Sequence, residues 1–132
     1  MQLPYLIFSL NHSHYGIEAI AVEEIFYLPE LTPLTEAPKE IAGLLNLRGK
    51  IIPVIDLKVR LGYRRRNYSL NDTVIVVGHR HKHMGLIVDG VHEVQSISGV
   101  TTTAELAYLP ASSIDRPNPQ NPPQTALVSG VV

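Results

Sequence analysis

The chain has no cysteine and no tryptophan, and it carries only two phenylalanines. Without a thiol there is no disulfide, no cysteine nucleophile and no thiolate-bound zinc, which suits a reducing compartment. No apolar stretch reaches the roughly 20 residues that a membrane-spanning helix needs, and Met1-Gln2-Leu3-Pro4 has neither a basic lead-in nor a cleavage site. The expected location is the cytosol, with no direct membrane insertion. Catalytic signatures are missing as well: there is no G-x-S-x-G, no glycine-rich phosphate loop and no carboxylate pair in a pocket-like context. These absences point away from an enzyme.

What remains is ordinary globular sequence of 132 residues, 45% hydrophobic and 17% charged, expected to form one domain over residues 1–132. The net charge of −1 conceals a split. Residues 1–40 carry Glu18, Glu23, Glu24, Glu30, Glu36 and Glu40 against Lys39 alone. Residues 41–70 carry Arg48, Lys50, Lys58, Arg60, Arg64, Arg65 and Arg66 against Asp56. Either two unlike surfaces result, which would steer oriented encounters, or folding interleaves the segments and the field cancels.

Strand patterns dominate. Tyr5 to Leu10 alternates Tyr5, Ile7, Ser9 with Leu6, Phe8, Leu10, and Asn11 to His14 turns the chain into Tyr15-Gly16-Ile17. Val22 to Leu28 is a further apolar element, and Thr73 to Val77 and Met84 to Val88 are the clearest strands. Asp89-Gly90 reads as a hairpin turn leading into Val91 to Val94. Between Pro38 and Leu47 the sequence predicts a short helix, with Pro38 as its first residue and Gly43 and Asn46 weakening it. Short strands with brief helical pieces argue an all-β barrel or sandwich. From Ala111 to Gln124 four prolines mark a loop.

The chain is organised around residues 43–57. Arg48-Gly49 forms a tight reversal, and Ile51 to Ile55 reads as a strand that Pro53 confines to an edge or a bulge. Asp56 caps the amphipathic segment Leu57 to Leu61, which Gly62 stops. Arg48 sits in an apolar neighbourhood, so its guanidinium is either pinned by an internal carboxylate or carbonyl, or presented to a partner.

Two histidine sets have metal-like spacing, His12 with His14 and His79 with His81 and His83. Turn locations, neighbouring cations and the lack of a nearby carboxylate argue against a metal site. The basic run Tyr63 to Tyr68 is not read as a nucleic-acid site, because no second basic-aromatic cluster accompanies it.

The string N-L-R-G-K-I-I-P-V-I-D-L at residues 46–57, followed by G-L-I-V-D-G-V-H-E-V at residues 85–94, resembles the CheW family of chemotaxis coupling proteins and the related regulatory domain of the kinase CheA. Tyr5 to Leu10, Tyr15-Gly16-Ile17 and Val22 to Ile25 fit the family's opening strands in order. The resemblance covers residues 4 to about 105 well. It implies two packed SH3-like five-stranded β-barrel lobes, and an adaptor in receptor arrays between a chemoreceptor helical hairpin and a CheA-like histidine kinase, with no cofactor. Partner contacts carried over are Arg48 with Asn46 and Gly49, Val22 and Glu24, and Val88, Asp89 and Val91. Relatives continue into another strand, an L-D-like motif and a terminal helix that this sequence does not show. An open C-terminal sheet edge, and self-association through it, are therefore expected. The alternatives are a metal enzyme built on the His79, His81, His83 loop, or a plain oligomerising module.

Overall fold

The computed structural model describes residues 3–63, 67–79, 81–97 and 127–129. The proline-rich stretch 111–124, Arg64 to Arg66 and the His79 side chain lie outside the described residues. The strands are β1 (Leu3–Leu10), β2 (Ser13–Glu18), β3 (Val22–Tyr27), β4 (Ile41–Leu47), β5 (Lys50–Asp56), β6 (Thr73–His79), β7 (Lys82–Val88), β8 (Gly90–Ile97) and β9 (Leu127–Ser129). A single-turn helix α1 (Leu57–Arg60) follows β5, and a short 3-10 turn, Ala19–Ala21, joins β2 to β3. The protein is thus mostly β. One sheet runs β8-β1-β2-β9 and the other β3-β6-β7-β5-β4, with β5 and β7 the one parallel pair among the described residues.

The alternation along β1 explains how the sheets meet. Leu6, Phe8 and Leu10 point into a core shared with Ile55, Ile75, Leu86 and Val88 of the other sheet and Leu57 of α1, while Tyr5 and Ile7 are buried on the opposite face with Ile97 packed against them. Burial, with Glu18 adjacent, pushes the Tyr5 phenol above its ordinary pKa. The far face of the five-stranded sheet has its own core: Leu45, Ile52, Val54, Val74, Val76 and Ile87, with Phe26 and Leu28 against it. Period-2 sequences with apolar residues at both phases therefore bury both faces.

Three expectations are corrected. The segment through Ile41 to Leu47 is strand β4, antiparallel to β5, not a helix. Its residues gain a ladder and a core face, and tertiary pairing outweighs the weak local preference. Gly43 shows why: a Cβ there would lie 2.8 Å from the Thr32 carbonyl oxygen and 2.9 Å from Leu31 Cβ, because the loop pairs with Leu44. Gly43→Ala is expected to lose about 1–3 kcal/mol of stability through this collision, measurable as a lowered thermal midpoint.

Strand β5 is interior, between β7 and β4, and the register shift falls between Ile41 and Gly43 on β4. Pro53 is tolerated because its partner Leu44 directs its own N–H and C=O to Thr32, away from β5. The Leu44/Pro53 pair is then non-hydrogen-bonded. The missing N–H faces the β7 side, where the parallel ladder begins only at Val54.

Asp89-Gly90 is not a hairpin turn. It is where the chain leaves the five-stranded sheet after β7 and enters the other sheet as β8, beside β1.

The helix cap is as the sequence predicts. Asp56 Oδ1 accepts from the Lys58 and Val59 N–H groups at 3.0 and 3.3 Å, and Oδ2 accepts from the Tyr68 hydroxyl at 3.0 Å. Among the described residues no helix is long and apolar enough to cross a membrane.

Candidate functional site

The β4–β5 connection is a two-residue turn in which Arg48 and Gly49 both have positive φ, 51° and 84°, the requirement of a type I′ hairpin. Asn46 Oδ1 accepts from the Gly49 N–H at 3.0 Å and braces it. Glycine holds its position without strain, but a left-handed conformation costs an arginine about 1–2 kcal/mol. Asparagine or aspartate would suit that position better. The turn gives no reason for arginine, so the reason lies in its side chain.

That side chain reaches across to β3. Both guanidinium nitrogens engage the Glu24 carboxylate, Nη1 donating to Oε1 at 3.3 Å and Nη2 pairing with Oε2. Hydrogen bonding to Glu24, then its charge, raises the guanidinium pKa further, so Arg48 stays cationic. β3 and β4 are opposite edges of the five-stranded sheet, and the pair bridges from the β4–β5 turn to the far edge strand. The Arg48 side chain nevertheless remains 71% exposed and that of Glu24 30%. Of the two readings of Arg48 left open by the sequence, the structure shows the internal carboxylate, and the paired guanidinium remains exposed.

A second pair lies alongside. Glu23 crosses over Gly78 to place Oε1 2.7 Å from His83 Nδ1. A Cβ on Gly78 would come within 2.6 Å of that carboxylate, so glycine keeps the crossing open. Glu23, Glu24, Arg48, Lys50 and His83, with the apolar Leu47 and Ile52, line a concavity of about 330 Å³. Sequence reasoning did not bring Glu23 and His83 together at this concavity, and the expectation that no carboxylate approaches the histidine loop is corrected. His83 is held by Glu23, and among the described residues no group of three His, Asp or Glu forms a metal cluster. The charge split is interleaved at the Arg48–Glu24 pair, and again where Glu40 partly offsets the burial that lowers the Arg60 pKa.

The remaining sequence-derived contact residues are dispersed. Val22 and Val91 are half-buried against the inter-sheet core, and Val88, 1% exposed, is a core residue rather than a surface contact. Asp89 turns inward: Oδ2 accepts from the Asn11 N–H at 2.8 Å, and Oδ1 lies 2.6 Å from Lys58 Nζ. It ties α1 to the β1–β2 turn.

The CheW-like domain family model matches residues 4–131 of this chain, spanning both sheets and the turn that carries Arg48. The chain belongs to the CheW-like family. Among relatives, this CheW-like chain is 38% identical over 94 residues to the chemotaxis protein CheW of Klebsiella aerogenes, covering 71% of this chain and 57% of that protein. It is 29% identical over 93 residues to the chemotaxis protein CheW of Rhizobium meliloti, covering 70% and 60%. It is 32% identical over 91 residues to protein PilI of Pseudomonas aeruginosa, covering 69% and 51%. Among solved structures, the scaffolding protein TtCheW of Thermoanaerobacter tengcongensis superposes with a TM-score of 0.69 at 42% identity, over 75% of this chain and 68% of that one. The chain spans less than two thirds of the length of the first two of these relatives.

Proposed function

We propose that this CheW-like chain is a non-catalytic adaptor that couples a chemoreceptor-type helical hairpin to a CheA-type histidine kinase, working in the cytoplasm at membrane-bound receptor arrays. One observation carries the reading. An arginine occupies a left-handed turn position that favours asparagine, is oriented by Glu24, and stands exposed at the rim of a charged concavity. Planar, pre-oriented guanidinium groups are frequent interface anchors. In this reading Arg48 is the contact residue, Glu24 orients it, and Asn46 and Gly49 fix the turn. Val22, Asp89 and Val91 shape the neighbouring surface, and Val88 supports it from the core. Each sheet is the described part of one SH3-like barrel lobe, and the shared core makes the two lobes one domain.

An adaptor alters kinase activity only if its contacts differ between receptor states. The test is co-purification of the tagged chain with kinase and receptor fragments from a native extract. Retention of both is expected. A chain that retains neither at micromolar concentration would end the adaptor reading.

A further inference from the structure

Among the described residues, the fold brings together two histidines that the sequence does not group by spacing. His14 on β2 and His92 on β8 flank β1, and their ring centroids stand 4.7 Å apart with the planes inclined by 56°. Register creates the pair. His14 is opposite Ser9, on the face of β1 that also carries Tyr5 and Ile7. On the other side, Phe8 pairs with Val91 and Leu6 with Val94, so a bulge sets His92 and Glu93 together opposite Ile7. Both imidazoles therefore project from the outer face of the four-stranded sheet, held by strands rather than by loops.

The separation has a chemical meaning. With metal–nitrogen bonds of about 2.0–2.1 Å, two imidazole centroids on one ion stand about 5 Å apart at a tetrahedral angle, and about 4.5 Å apart at a right angle. The observed spacing lies between these values.

We propose that His14 and His92 form a two-imidazole site for a divalent transition-metal ion of the zinc and nickel class, which imidazole nitrogen suits. Among the described residues no third His, Asp or Glu completes a three-ligand cluster, and water would fill the other positions. Glu93 is turned aside, accepting from Gln95 Nε2 at 2.6 Å. This site is independent of the adaptor reading and lies on a different sheet from Arg48.

The test is calorimetric titration of the full chain with zinc chloride, alongside His14→Ala, His92→Ala, His12→Ala and His81→Ala. Saturable one-to-one uptake is expected in the parent protein, weakened by about tenfold or more in the His14 and His92 variants and unchanged in the other two. Imidazole NMR resonances of the parent protein provide a reading that needs no variant: those of His14 and His92 shift together on titration. Absence of saturable uptake, uptake that survives loss of both His14 and His92, or resonances that shift only at other histidines would each overturn the proposal.

Discussion

Asp89→Ala lowers folding stability by about 3 kcal/mol, and the thermal midpoint of a chain this size by roughly 10 °C. The substitution removes the carboxylate 2.6 Å from Lys58 Nζ, and the Lys58 side chain is only 11% exposed whereas that of Asp89 is 28% exposed. An ammonium left in that position cannot regain the hydration it had in the unfolded chain. The same change leaves the Asn11 N–H without its acceptor at the β1–β2 turn. Asp89→Asn should fall between, retaining an oxygen for Asn11 but no charge for Lys58. The double variant Lys58→Met with Asp89→Asn should recover much of the loss, because removing both charges removes the uncompensated one. Denaturant unfolding of the four proteins measures each step. A loss below about 1 kcal/mol for Asp89→Ala would show that Lys58 finds water.

Arg48→Ala is expected to weaken the proposed partner binding by about 2 kcal/mol, roughly thirtyfold in Kd, with the thermal midpoint little changed. The pair with Glu24 is solvent-facing, and exposed pairs of this kind contribute little to folding. Calorimetry against kinase and receptor fragments reads the binding loss. A charge exchange separates the two roles of the side chain. If Arg48 serves only to pair with Glu24, the double variant Glu24→Arg with Arg48→Glu restores binding. If the guanidinium itself grips the partner, the exchanged pair folds but stays weak, and this is the expected result. Full binding by the single Arg48→Ala variant would remove Arg48 from the interface.

Features fixed by local chemistry were readable in the sequence. Asp56 announces a helix cap, Arg48-Gly49 a tight reversal, and the alternation of Tyr5 to Leu10 a strand with two kinds of face. Features decided by distant partners were not. Nothing local to Ile41 to Leu47 tells strand from helix, since an apolar run lacks a period that would choose. The deciding fact is that β5 and the Thr32 loop lie on either side. Asp89-Gly90 has hairpin composition, yet the element awaiting β8 is β1, on the other sheet. The charged concavity depends on Gly78, whose missing side chain means little until Glu23 lies above it. The His14 and His92 pair depends wholly on register, whereas the closeness of His12 to His14 belongs to the sequence alone.

The change of sheet after β7 also has a bearing on synthesis. Strand β1 buries apolar groups on both sides, and its second neighbour, β8, lies about 80 residues further along the chain. At ribosomal speeds of roughly 5–20 residues per second, the amino-terminal hairpin waits several seconds in a half-paired, sticky state before that neighbour leaves the exit tunnel. A nascent chain of this design exposes that apolar strand throughout the interval, and a charge added at the exposed Ser13 would ease its solubility during translation more than it changes the finished protein.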